Sequence, residues 1–206
     1  HAAIDENKHT LVHLLLKYCT TSVTSDKKNI SKEQEREIDV IHAAFKIKHL
    51  IAVGALKVAG KFIKRYLQDT ESLTPNIGYA HLYLALGDYY CCGQELDTAI
   101  KNSKMAMHYY QELDMPEYTA ESFLELAIKF LGRGNLRETL DYFTFSQKLS
   151  HDYGLLPVYI RSLLYESAAF YLTGNYSRIK ANCQKGLEAC ENAGMRNYQL
   201  LFYFIE

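Results

Sequence analysis

One residue pattern returns at a fixed shift of 40 positions and limits the folds open to this chain. Gly54, Gln94, Gly134 and Gly174 form one series, and Leu56, Leu96, Leu136 and Tyr176 follow two places later. Ala59, Ala99, Thr139 and Ile179 come next, and Leu50, Tyr90, Phe130 and Phe170 lie four places upstream. A second series, Asp114, Gly154 and Gly194, precedes Met115, Leu155 and Met195. A period of roughly 20–50 residues signals units that cannot bury their own apolar faces and must stack on their neighbours. The expected fold is therefore all-α, a solenoid of antiparallel helix pairs sharing one elongated core.

Helical periodicity and breakers place the elements. We expect helices over residues 31–53, 55–68, 79–92, 96–113, 120–131, 136–153, 158–172 and 176–193, with a further one beginning at 197. Residues 9–23 read as the second helix of a partial N-terminal repeat, and 22–31 as a polar loop. The domain reading is thus a partial repeat over 1–30 and an array of about four 40-residue pairs over 31–206, cut within a fifth. Ser31 is a candidate N-cap. Gly54 is placed to end its helix in the left-handed conformation, and Gly93 to compensate for Gln94 in the next copy. Pro75, Pro116 and Pro157 all fall between units, with Pro116 able to open the next helix at its first turn and Pro157 again marking a helix start. Small residues, Gly87, Ala127 and Ser167 in first helices and Ala59 and Ala99 in second helices, mark close helix approaches. The chain begins without Met and stops in an apolar periodic run, so we expect a segment of a longer protein.

The charge balance offers no basic field for nucleic acid: 23 Lys and Arg stand against 24 Asp and Glu. The basic run Lys57, Lys61, Lys64 and Arg65 falls at helical spacing and reads as a solvated face. No apolar run reaches the roughly 18 residues a membrane span needs. Five cysteines without a CxxC pair argue for a reducing, cytoplasmic setting, with Cys183 and Cys190 as core packing.

The repeat residues resemble the tetratricopeptide repeats. The matching stretches are residues 82–90 (LYLALGDYY) with Ala99 and Ala106, 123–131 (FLELAIKFL) with Leu140 and Ser146, and 163–171 (LLYESAAFY) with Gly186. The usual period is about 34 residues; the longer unit here is similar to the sensor region of the bacterial maltose-regulon activator and related LuxR-type transcription regulators. It is also similar to peptide-sensing regulators and to scaffolds with units of this length. The resemblance implies a right-handed superhelix whose first helices line a groove for a protein or peptide segment, or for a small effector.

Sequence signatures of catalysis are weak. His9 and His13 are four apart, with no third metal ligand apparent. Gly132 and Gly134 lie between helices rather than after a strand. Asp88, Glu121 and Glu125 read as solvated carboxylates rather than an acid–base pair. We expect no enzyme activity, no cofactor and no metal. The candidate site is a surface: the non-core positions Lys48, His81, Asp88, Glu121, Glu125, Ile128, Arg161, Leu164 and Tyr165 on first helices. The 17 tyrosines read mainly as fillers of the helix stack, with Tyr109, Tyr110 and Tyr165 partly on polar faces.

The functional expectation is the binding region of a larger bacterial signalling protein, foremost a transcription regulator. A scaffold without a transcriptional role and an accessory segment of a signalling enzyme are the alternatives. Expected partners are a protein or peptide segment or a small effector, with self-association, and with neither direct nucleic-acid contact nor membrane.

Overall fold

A computed structural model describes residues 32–67 and 76–205. All regular structure in these residues is helical: α1 Lys32–Ala52, α2 Leu56–Leu67, α3 Ile77–Cys92, α4 Leu96–Glu112, α5 Pro116–Arg133, α6 Leu136–Asp152, α7 Leu156–Leu172, α8 Tyr176–Ala193 and α9 Arg196–Ile205. The expected partial repeat over 1–30, Ser31 as a cap, the His9 and His13 pair, Cys19 and Pro75 lie outside the described residues. Boundaries agree with the sequence reading except at α5. It starts four residues before the expected 120, at Pro116, the residue read as able to open it, because proline's missing N–H costs nothing in the first turn. At α3 the sequence reading passed over a cap: Asn76 Oδ1 accepts the Tyr79 N–H at 2.9 Å.

Seven of the described helices, α1 and α3 to α8, end in the same turn, and from Gln94 to Gly194 the turns beat every 20 residues. Gly54, Gln94, Asp114, Gly134, Gly154, Gly174 and Gly194 all have positive φ, from 51° to 83°. At each, the next residue's N–H reaches back five residues, as in Ala55 to Leu50 O (2.8 Å), Glu95 to Tyr90 O (2.9 Å) and Met195 to Cys190 O (2.9 Å). This is the Schellman closure, which satisfies carbonyls the helix leaves unpaired. The 40-residue period is therefore two 20-residue helix-and-turn units. One expectation fails here. Gly93 does not stand in for Gln94: Gly93 has φ −79° while Gln94 itself takes φ 62°. The turn's hydrogen-bond register fixes which residue is left-handed, so a glycine one place early cannot take its role.

Packing follows chain order. Each helix lies on its sequence neighbour, and α1 packs on α3, α5 on α7 and α7 on α9. The apolar interior is a string of small clusters. Val40, Ile47, Ile63, Leu82 and Leu86 join α1, α2 and α3. Leu84, Ala106 and Tyr110 join α3 to α4, and Ile100, Leu126 and Phe130 join α4 to α5. Leu124, Phe143 and Val158 join α5, α6 and α7, and Ile160, Leu163, Cys183 and Phe202 join α7, α8 and α9. Nearest-neighbour clusters strung along an axis are what a helical solenoid requires. At roughly 1.5–3 kcal/mol per fully buried large side chain, they outweigh any single polar contact.

Other glycines serve close approach rather than turn geometry, Gly87 and Gly186 most tightly. A Cβ on Gly87 would collide with Ser103 Oγ and lie 3.2 Å from Ala99 O, so α3 and α4 meet backbone to backbone. A Cβ on Gly186 would enter the ring of Phe202, by which α9 docks on α8. Cys183 and Cys190 are buried as expected. Of the three tyrosines read as partly polar, Tyr110 is wholly buried, Tyr109 is half-buried and only Tyr165 is exposed.

Candidate functional site

The odd-numbered helices α1, α3, α5 and α7 are the first helices of successive pairs, and α9 starts the next. The face they share, termed the inner face after the expected groove, is where the candidate residues are expected. Because the stacking step is 40 residues, positions 48, 88 and 128, and positions 81, 121, 161 and 201, fall at matching heights on consecutive first helices.

Three of the candidates meet in one ion network. Lys129 Nζ donates to Asp88 Oδ1 and to Glu125 Oε2, each at 3.1 Å. Lys48 Nζ lies 3.8 Å from the other oxygen, Asp88 Oδ2. The Lys129 side chain is only 2% exposed, whereas Asp88, Glu125 and Lys48 are partly open to solvent. Burial pushes the Asp88 carboxyl above the usual carboxylate value, and Lys129 and Lys48 offset this only in part. Burial acts to lower the Lys129 ammonium, but Glu125 and Asp88 more than compensate and raise it, so it stays charged. The solvated-carboxylate expectation is thus corrected for Asp88 and Glu125. It is corrected for Glu121 as well, whose Oε1 accepts from Arg161 Nη1 at 2.6 Å, from α7 to α5.

Spacing alone does not single out Lys129, because its neighbour Ile128 occupies the position equivalent to Lys48 and Asp88. Ile128 instead packs against the cluster joining α5, α6 and α7. The signal was available: Lys129 sits four residues after Glu125 on the same helix.

His81 is enclosed rather than presented. Its ring centroid lies 5.8 Å from Phe45, 5.5 Å from Tyr110 and 5.1 Å from Tyr118. His81 Nδ1 and the Tyr110 hydroxyl are 2.7 Å apart. Burial, with Lys48 adding to it, holds the imidazole below its ordinary 6.5, and burial drives the Tyr110 phenol well above its usual value. A neutral imidazole accepting from a firmly protonated phenol satisfies both. Phe45 and Tyr118 remain partly exposed and give this end of the face an aromatic rim.

At the other end, Arg161, Leu164 and Tyr165 of α7 face Asn197, Tyr198 and Leu201 of α9 across a cleft of about 490 Å³. Leu164 also packs against the core cluster of α7, α8 and α9. A second cleft, about 400 Å³, lies at the ends of α7, α8 and α9 between Tyr171, Tyr176, Ile179, Lys180 and Ile205. So Lys48, Asp88 and Glu125 are joined in one network, Glu121 and Arg161 in a second, and Arg161, Leu164 and Tyr165 in a cleft. His81 belongs to an aromatic cluster and Ile128 to the core.

Burial pushes the thiols of Cys91 and Cys190 up, away from thiolate reactivity. Among the described residues no group of three or more His, Cys, Asp or Glu is placed to hold a metal ion. No helix among them is long and apolar enough to cross a membrane.

No protein-family model and no curated protein sequence matches the chain. Solved structures do. Aspartyl phosphate phosphatase F from Bacillus subtilis superposes with a TM-score of 0.73 at 13% identity, over 82% of this chain and 45% of that one. BtubC (BKLC) from P. vanneervenii superposes with a TM-score of 0.69 at 12% identity, over 97% of this chain and 82% of that one. At such identities the likeness is one of fold, a stack of helical repeats. The chain spans less than half the length of the phosphatase.

Proposed function

We propose that this chain is a non-catalytic binding region whose inner face takes a segment of another protein, within a larger bacterial regulatory protein of the tetratricopeptide-repeat type. The observation that carries this reading is the row of inner-face charges fixed by ion pairs that cross from one repeat to the next. Asp88 and Glu125 share the buried Lys129, Lys48 lies against Asp88, and Arg161 is held by Glu121. Side chains already ordered lose less entropy when a partner docks, so the same contacts yield more net affinity. A polypeptide in the groove meets alternating positive and negative groups, which suits polar backbone and side-chain contacts more than a polyanion. The paired carboxylates and the raised thiols offer no activated nucleophile, which supports a binding role over chemistry.

One fold neighbour supports the same class of role: its name makes it a phosphatase of aspartyl phosphate, a group that forms on protein side chains. The 40-residue unit supports transcription regulation as the setting, with binding here coupled to a DNA-binding part of the larger protein. The phosphatase likeness favours a second reading, a repeat segment serving a signalling enzyme.

Charge reversal tests the proposal. Lys48→Glu and Arg161→Glu should each weaken a captured protein partner by about tenfold or more, of the order expected for a charged contact. Lys104→Glu, on the second-helix side, should leave affinity within about twofold. A partner insensitive to both inner changes and sensitive to the outer one would refute it.

A further inference from the structure

The steps between first helices are closed by different side chains, and one step is left open. Between α3 and α5 the ring of Tyr118 lies on His81. Between α5 and α7 Arg161 reaches back to Glu121 at 2.6 Å. One repeat on, the residue in register with Arg161 is Leu201. Its apolar end has no polar group to return to Arg161, and here the cleft of about 490 Å³ opens between α7 and α9. That volume is in the range of small-ligand sites, roughly 300–1,000 Å³.

The lining has two halves. Leu164, Leu201 and the Tyr165 ring supply apolar surface. Arg161, Asn197 and Tyr198 supply donors. Arg161 gives Nη1 to Glu121, which leaves the rest of its fork for another acceptor. Tyr198 lies within electrostatic reach of that guanidinium. Arg161 is the one charged residue among the described residues lining the cleft.

We propose that this cleft is a binding site for a small carboxylate with an apolar tail. The carboxylate meets the Arg161 fork, the Asn197 amide and the Tyr198 hydroxyl, and the tail lies on Leu164, Leu201 and the Tyr165 ring. A neutral amide of the same shape brings its own N–H donors to groups that already donate, and leaves part of the site unpaired. Because the ligand and Glu121 share the Arg161 guanidinium, its binding is coupled to the ion row of the inner face. The assignment does not depend on a protein partner occupying that row.

Calorimetric titration of the full chain with octanoate and with 3-phenylpropionate tests it, against octanamide, 3-phenylpropanamide and an N-acetylated tripeptide ending in leucine. Both acids should bind, the amides about tenfold or more weakly, a difference of about 1.4 kcal/mol. Arg161→Gln should weaken the acids by a similar factor. Leu201→Glu, at an exposed position, places a carboxylate where it can repeat the Glu121–Arg161 pairing one step further, and should abolish acid binding without loss of fold. Lys104→Glu should change nothing. Failure of the acids to bind at millimolar concentration, equal binding of acids and amides, binding of the tripeptide alone, or acid binding that survives Leu201→Glu would each overturn the proposal.

Discussion

A buried lysine between two half-open carboxylates decides much of the chemistry of the inner face. Removing Lys129 leaves Asp88 and Glu125 with like charges and no shared cation. Lys129→Met should therefore cost about 2–4 kcal/mol, near the low end of buried-pair losses because both carboxylates still touch water. In urea unfolding the triple change Asp88→Asn, Glu125→Gln, Lys129→Met should recover most of that loss; a triple variant no more stable than the single one would contradict the assignment. His81 gives a pH signature. Burial lowers its folded value beneath 6.5, so its contribution is fully present above pH 6.5 and is lost as pH falls through the lowered folded value. The melting temperature should drop between pH 7.5 and pH 5.5, and drop less in His81→Gln. These two residues also mark where sequence reading reached its limit. Spacing placed His81 and Asp88 on the first helices, but the enclosure of His81 and the pairing of Asp88 with Lys129 depend on helix rotation, which a 40-residue shift leaves uncertain by one position.

Elements were the most legible level, because their ends are set by local chemistry. The left-handed turn residue recurs every 20 positions from Gln94 to Gly194, and five of its seven occupants among the described residues are glycine. A Cβ on any of these five would meet nothing within 4 Å, so glycine serves backbone conformation there and not space. Gln94→Gly should then stabilise the chain by about 0.5–1 kcal/mol: relief of left-handed strain exceeds the added freedom of the unfolded chain. Gly134→Ala should destabilise by a similar amount, and thermal melts read both. The sequence misplaced the first of these effects by crediting Gly93. It identified Gly186 only as a match to a family position, whereas the structure gives its cause, the Phe202 ring seated against it. Gly186→Ala should cost about 1–3 kcal/mol by overpacking and loosen α9 first, seen as faster amide exchange in residues 196–205.

At the scale of the molecule, stability is a sum over neighbouring helices, and recognition belongs to one side of the stack. The repeat period made the all-α solenoid readable before any coordinate. What the period could not give was which exposed positions are prearranged, because cross-repeat contacts such as Arg161 with Glu121 join residues 40 apart through a stacking geometry the chain states only indirectly. Nor could it show the opening between α7 and α9, which arises where Leu201 stands in the register of Arg161. The claim that binding uses the first helices is tested most directly by amide hydrogen exchange, measured on the free chain and on its complex with a captured protein partner. Added protection should fall on α1, α3, α5 and α7, with α4, α6 and α8 unchanged; protection confined to α4, α6 and α8 would contradict the account.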